Sequence, residues 1–545
     1  MNPTGLLLAT FILSIVGLFA FIWSLRKGLF DAESSGARTI FSAGEIGRTE
    51  EPAASSQQHQ ALQQVTDRSD ARSSRRQEIS AAELAVRAAA DRSSAFPAYL
   101  LFACAVVWLI VGSAAGLVSS LKLHWPDLLT DTAWLSFGRL RAIHLNTVAY
   151  GWAPMGLLGL AMWMLPRLLK TPLLGGRLII LGAVIWNAGL IAGLGGIAVG
   201  INAGMEWLEI PWQIGGMFAV GGMLIGLPMA FMLPKRKVHH LYVSVWYIGA
   251  ALFWFPTLYL VAKIPGLHFG MEMATMNWWF GHNVLGLFFT PLSIACVYYF
   301  LPKVIGRPVQ SYNLSLLGFW TLAFFYGQVG AHHLIGGPIP EWLITLSIVQ
   351  SVMMIIPVVA FSLNQHLTLQ GHFGALKHSP TLRFIFFGAV MYTITSLQGS
   401  MEALRSLNAV THFTHFTVAH AHLGMYGFVS MVIFGGVYFA MPRILDTPWP
   451  KQKLIALHFW LVVAGFAVYI VTLSIGGLLQ GLVLLDPARQ FMDSVAVTLP
   501  WLQGRSLGGA LMTLGHLCFA AHVLLITLRS GLLTQPVRTT VHSPA

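Results

Sequence analysis

Apolar residues in this chain fall in long runs, and its polar residues collect in the short stretches between them. A helix needs about 20 predominantly apolar residues to cross a bilayer core. Thirteen runs qualify, near positions 6–23, 96–119, 140–166, 175–203, 211–233, 241–263, 273–301, 312–334, 342–364, 382–402, 414–441, 453–479 and 506–528. The pattern predicts an all-α polytopic membrane protein, twelve helices in a bundle preceded by one extra transmembrane helix.

The one long polar interval, roughly 24–94, separates the first run from the rest. It is rich in Ser, Ala, Gln and Arg, which predicts a mostly disordered linker because such a composition buries little apolar surface. Within it, residues 79–93 have the makings of a short helix. The expected organisation is a single-span unit at 1–33, a linker at 34–94, a twelve-span unit at 95–530 and a tail at 531–545. The first run lacks a basic leader and a small-residue cleavage site, so it reads as a retained anchor.

Charge placement tests the count. Lys and Arg mark every second loop: Arg26 and Lys27; Arg167, Lys170 and Arg177; Lys235, Arg236 and Lys237; Lys303 and Arg307; Lys377 and Arg383; Arg443, Lys451 and Lys453; Arg529 and Arg538. The opposite loops are poorer in basic residues and carry Asp127, Asp131, Glu206, Glu209, Glu272 and Glu341. Under the positive-inside rule this predicts an N-terminus outside, with the linker and the C-terminal tail in the cytoplasm.

Composition agrees. Apolar types supply 56% of the 545 residues and charged types only 10%, against about 25% charged in soluble domains. The formal charge of +12 resides in the short loops, so it reads as a topology signal and not as a nucleic-acid-binding surface. Cys104, Cys296 and Cys518 lie in separate apolar runs and read as buried small hydrophobes.

Ionisable groups within spans are functional by default, and histidines stand out. His144, His282, His332, His333, His420 and His422 come from four sequence-distant spans. At a rise of about 1.5 Å per residue they fall at one depth in the outer half of the bilayer. His420 and His422 are two positions apart on a helix, so their side chains point about 200° apart and serve different centres. His332 and His333 can both reach one ion, which with His282 makes a three-nitrogen site. His144 is left to pair with one member of the His420–His422 motif. Imidazole suits both haem iron and copper.

These segments resemble subunit I of the haem–copper oxidase superfamily, most closely its cbb3 branch. The resemblance is carried by FGRLRAIHLN (137–146), WWFGHNVLGLFFT (278–290), YGQVGAHHL (326–334) and NAVTHFTHFTVAHAHLG (408–424). It implies a catalytic subunit of a terminal oxidase in a bacterial inner membrane, reducing O2 to water with electrons from cytochrome c and coupled to proton uptake. It implies two b-type haems and one copper. His144 and His422 would be axial ligands of the low-spin haem, and His420 the proximal ligand of the high-spin haem. His282, His332 and His333 would bind copper. Tyr326 would match the tyrosine linked to the first copper histidine, and Arg141 an arginine near the haem propionates. Glu206 and Glu209 resemble a paired-glutamate segment associated with Ca2+ or structural roles. Ser315 and Tyr298 could begin a proton path. Cytochrome c-type partner subunits are implied, since the chain has no CxxCH motif of its own. The WSLRKGLFDAE segment (23–33) resembles a small single-span maturation protein that accompanies such oxidases.

Some positions depart from that pattern. Phe280 stands where the branch usually has Tyr, and His415 where it has Asp. Two other readings compete. A nitric oxide reductase of the same superfamily would place glutamates near the non-haem metal, but those positions are Gly286 and Met354. A transporter would place its charges near the membrane midplane, whereas these histidines cluster toward one face.

Overall fold

The computed structural model describes residue 19 and residues 33–42, 44–69 and 79–532. The predicted first span, apart from Phe19, and the 531–545 tail, apart from Gly531 and Leu532, lie outside the described residues. So does nearly all of the maturation-protein-like unit.

Twelve described helices are long and apolar enough to cross a membrane. They are α1 (Ala81–Lys122), α2 (Phe137–Leu169), α3 (Gly176–Val199), α4 (Trp212–Ala230), α5 (Val243–Lys263), α6 (Gly270–Ile305), α7 (Tyr312–Tyr326), α8 (Glu341–Leu369), α9 (Pro380–Glu402), α10 (His415–Ile444), α11 (Lys453–Leu485) and α12 (Phe491–Arg529). No strand occurs among the described residues. The predicted 79–93 helix is the start of α1, nucleated by Ser80, whose side chain accepts the Glu83 N–H at 3.2 Å. Forty-two residues span about 63 Å at 1.5 Å each, so α1 projects well beyond a bilayer.

Three helices form the centre. The apolar stretches of α2, α6 and α10 are 94%, 89% and 89% buried, against half or less for the other nine. A helix surrounded by helices needs no lipid-facing stripe, so its apolar residues run all round it. The same three carry His144, His282 and the His420–His422 pair. Each also contains a π-helical segment just after its histidine: Thr147–Trp152, Leu285–Phe289 and Leu423–Ser430. Such insertions re-aim side chains and concentrate at functional sites.

The expected disordered linker is instead folded over residues 33–42 and 44–69. Helices Glu33–Arg38 and Ser56–Ser69 and the loop between them pack against the basic end of the bundle. Its composition suggested disorder because apolar residues are few, but ion pairs and backbone bonds replace them. Glu50 meets Arg443 at 2.7 Å and lies 3.9 Å from both Arg167 and Lys303. Glu45 pairs with Lys303 at 3.0 Å and with Arg87. Glu51 accepts from the Ser379 and Thr381 hydroxyls at the start of α9. Gly47 N–H donates to the Gly306 carbonyl at 2.8 Å, and a Cβ on Gly306 would collide with the backbone of Arg48. The basic residues read as topology markers are thus also the seat for this strap.

Candidate functional site

Five of the six singled-out histidines assemble into two groups. In the first, the rings of His144 and His422 lie parallel within 9° at a centroid separation of 6.3 Å. His144 Nδ1–H donates to the Gly112 carbonyl at 2.7 Å, and His422 Nδ1–H to the Val418 carbonyl at 2.8 Å. Both rings are therefore held in the tautomer that leaves Nε2 free to ligate. A separation of 6.3 Å would leave room for a metal ion held by both rings. Gly116 makes the fit possible, because a Cβ there would lie 2.6 Å from His144 Nδ1.

The second group is His282, His332 and His333, whose ligand atoms lie within 4.8 Å of one another. It is the one cluster of three or more metal-ligating side chains among the described residues. His282 Nδ1 is buried with no partner, an orphan that a metal would satisfy. The adjacent pair was expected on the end of α7; instead α7 stops at Tyr326, and the pair sits beyond it on a 3-10 turn, Ala331–Leu334. Gly330 makes that turn at φ +129°, and a Cβ there would meet the Trp278 carbonyl at 2.6 Å. The tryptophan pair before His282 supports the turn. Trp278 stacks on His333 at 4.3 Å, while Trp279 Nε1 and Asn283 Nδ2 donate to the Gly327 carbonyl at 2.9 and 3.2 Å.

Tyr326 ends α7 with its ring centroid 5.0 Å from that of His282. His420 is two positions from His422 on α10, so its ring points to the other side of that helix. Its Nδ1 is 3.4 Å from Gln398 Oε1 and 3.9 Å from Glu402 Oε1. Gly399 leaves room for its ring, since a Cβ there would lie 2.9 Å from His420 Cε1.

The remaining predicted residues lie apart from these groups. Arg141 is half-exposed and paired with Glu206. Glu209 is buried and accepts from Asn146 Nδ2 at 2.9 Å, so the two glutamates of one loop serve different partners. Burial pushes the Glu209 carboxyl up to about 7 against the opposing Asn146 hydrogen bond. Ser315 is buried and donates to the Tyr312 carbonyl at 2.5 Å. Tyr298 is buried with an unpartnered hydroxyl.

Sequence reasoning passed over several residues. Glu402 and Gln398 beside His420 lie inside the 382–402 run, where an acidic residue was a readable signal. Arg505 stands 5.7 Å over the Tyr469 ring, and the Tyr469 hydroxyl is 3.1 Å from His422 Nε2. Arg505 Nε is buried without a partner, which suits an anion next to the first group. His458, His516 and His522 were also missed, although they lie in predicted spans. Two bond between helices, His516 to Ser113 and Tyr426 at 2.7 and 2.8 Å and His458 to Tyr438 at 3.0 Å, and His522 bonds to the Pro450 carbonyl in the loop before α11.

Comparison with known proteins places this geometry among relatives. The family described as "Cytochrome C and Quinol oxidase polypeptide I" matches residues 97–511. The chain is 32% identical over 431 residues to the "Cbb3-type cytochrome c oxidase subunit CcoN1" of Stutzerimonas stutzeri, covering 76% of this chain and 91% of that protein. It is 30% identical to "Cytochrome c oxidase subunit 1" of Rhodobacter capsulatus over 76% of this chain and 82% of the relative. A nitric oxide reductase chain of Stutzerimonas stutzeri is 26% identical over 77% of this chain and 92% of that protein. Among solved structures, a heme–copper terminal oxidase dimer superposes with a TM-score of 0.63 at 16% identity, covering 86% of this chain and 87% of that one.

Proposed function

Because this chain belongs to the cytochrome c and quinol oxidase polypeptide I family, we propose that it is the catalytic subunit of a cbb3-like terminal oxidase that reduces O2 to water. The observation that carries this reading is the three-imidazole group with the Tyr326 ring 5.0 Å from that of His282. His282, His332 and His333 would hold copper. His420 would be the sole protein ligand of one haem, and His144 with His422 would hold another. Bound there, these groups would supply electron transfer and a place for dioxygen between iron and copper. Both haems are proposed as b-type, as in the cbb3 branch.

The chain's own residues do the rest. Nδ1–H bonds on His144 and His422 keep both Nε2 atoms unprotonated. Glu402 and Gln398 face Nδ1 of His420 and orient that ring. Tyr326 is half-buried beside His282 and can deliver a proton and an electron to the site. Protons drawn from the basic end would pass by Ser315 and Tyr298; Asn364 pins that entrance, accepting the Ser311 N–H at 3.0 Å. Arg505, with its unpartnered Nε, joins Arg141 as a residue to receive haem carboxylates. Electrons would come from a cytochrome c-type partner subunit or donor.

The basic end is read as cytoplasmic, with the N-terminus outside and the C-terminus inside, in a bacterial inner membrane. Residues 1–33 are read as a fused maturation-protein-like anchor. Ca2+ at Glu206 and Glu209 would have to displace the Arg141 pair. Pyridine-haemochrome and metal analysis of the purified chain test the proposal. Two haems with one copper support it; two haems with an additional iron favour nitric oxide reduction; no haem removes both. Replacing His420 with Ala should abolish oxidase turnover, and retained turnover would overturn the assignment.

A further inference from the structure

Four consecutive carbonyls in the loop between α3 and α4 are each taken by a donor. Asn277 Nδ2 donates to the Glu206 carbonyl at 2.5 Å, and the Tyr150 hydroxyl donates to that of Trp207. Lys263 Nζ donates to the Leu208 carbonyl at 2.6 Å, and the Ala203 N–H to that of Glu209 at 2.7 Å. The three side-chain donors come from three helices. Tyr150 lies on α2, in the π-helical segment after His144. Asn277 lies on α6, five residues before His282. Lys263 is buried at the end of α5 away from the basic loops.

The loop is also wedged in place. Trp207 is buried at φ +68°, a left-handed conformation that a bulky residue keeps only when its surroundings hold it there. Its indole lies against Gly281, the residue before His282, where a Cβ would stand 3.0 Å from Trp207 Cδ1. Asn146, two residues after His144, reaches the same loop through the Glu209 carboxylate at 2.9 Å. One loop thus bonds both the helix of His144 and the helix of His282.

This arrangement fits Ca2+ poorly. Ca2+ takes about 6–8 oxygen ligands. Here the Glu206 carboxylate is engaged by Arg141 and that of Glu209 by Asn146. The positive charges of Arg141 and Lys263 would repel a divalent cation at this loop. We propose that residues 203–210 form a clamp that sets the height of His144 against His282, with the Lys263 ammonium as its resident cation in place of Ca2+. Lys263 is then a positioning residue that acts through the loop. The consequence for cofactor spacing rests on reading those histidines as haem and copper ligands; the clamp itself does not.

The test uses the full chain purified with its partners, comparing wild type with Lys263→Met and Lys263→Arg. A glutamate-specific protease cuts after Glu206 or Glu209 once the loop leaves its hydrogen bonds. Losing a hydrogen bond from a charged donor should raise local opening, and with it cleavage, about 10–100-fold in Lys263→Met. Lys263→Arg should stay closer to the wild-type rate. Wild-type cleavage should be the same in a calcium chelator and in excess Ca2+. Turnover per haem should fall in Lys263→Met with haem and copper contents unchanged. Asn277→Ala removes one clamp bond without removing a buried charge, so it should show a smaller rise in cleavage, and it carries the test if Lys263→Met does not accumulate. Cleavage at the wild-type rate in these variants would overturn the clamp. A wild-type loop that opens on chelation and closes again with Ca2+ would overturn the role of Lys263. Full turnover per haem in Lys263→Met with an opened loop would overturn the part played in cofactor spacing. A wild-type protein without haem would sink the site reading instead, with the cleavage results unaffected.

Discussion

Gly286 lies directly under the ring of Tyr326. A Cβ at position 286 would overlap Cε1 and Cζ of the tyrosine, so the ring can stand beside His282 only because residue 286 has no side chain. This glycine falls one helical turn after His282, where a nitric oxide reductase would carry a glutamate. A side chain at 286 and a tyrosine in this pose are mutually exclusive, which ties the two rival chemistries to a single volume. Gly286→Ala should displace the Tyr326 ring while leaving His282 on the same helix. A displacement of about 1 Å can cost about 100-fold in rate. We expect oxygen-reduction turnover to fall by at least that much with haem and copper contents unchanged. Turnover near wild type in Gly286→Ala would show that the ring position is immaterial.

The twelve spans and the grouping of histidines were legible in the sequence for one reason: both follow from the cost of polar groups in lipid. Runs of apolar residues must be helices, and imidazoles in them must meet partners. What could not be read depends on non-local complementarity. The strap at 33–69 has the composition of a disordered segment, and its fold is written in Lys303, Arg167 and Arg443, more than a hundred residues away. The three π-helical segments add a residue to a helix without altering its hydropathy. The place of His332 and His333 beyond the end of α7 turns on Gly330, at φ +129°, and on its fit against Trp278. Glu402 was readable as an acid in a predicted span. Ser347, which accepts the His332 N–H at 3.1 Å, was not, since Ser in a membrane helix most often bonds its own backbone.

His144 and His422 face each other as a pair, so loss of either should remove one haem and spare the other. His422→Leu is expected to lower the haem-to-protein ratio from two to one and to leave the copper content intact. His420→Leu should give the complementary loss. Separate spectra of the reduced variants check this, and a variant of either kind that keeps both haems would break the pairing.

Glu50 is buried among Arg443, Lys303 and Arg167. Burial alone would raise its carboxyl, but these three positive charges together hold it below the usual carboxylate range. A carboxylate lowered on folding stabilises above its unfolded value of about 4.5, and that contribution fades as the pH falls through the folded value. Glu50→Gln takes from Arg443 the carboxylate 2.7 Å away, while Lys303 keeps Glu45 and Arg167 keeps Asp91, and breaking such a buried pair costs about 3–5 kcal/mol. The strap should then be cut by protease at neutral pH while the bundle stays intact. Wild-type strap should become cleavable only on acidification, and equal protection of the variant would refute the role of this charge.

Glu209 should behave in the opposite sense. It is buried in the loop before α4, where loss of water raises its carboxyl to about 7; the negative charge of Glu206 adds to the rise, while the Asn146 hydrogen bond and the charge of Arg141 oppose it. A carboxyl raised on folding holds its proton more tightly in the native state. Its contribution to stability is therefore complete below about pH 4.5, where both states are protonated, and is lost as the pH rises toward 7. The full loss is about 3 kcal/mol, at 1.36 kcal/mol per pH unit. The carboxylic acid C=O infrared band of Glu209 should be present at about pH 6 and gone by about pH 8. Glu209→Gln should lack that band and show no fall in thermal stability over the same interval. A wild-type band absent at pH 6, or a variant whose stability falls with pH just as the wild type's does, would show that this side chain is already ionised in the folded protein.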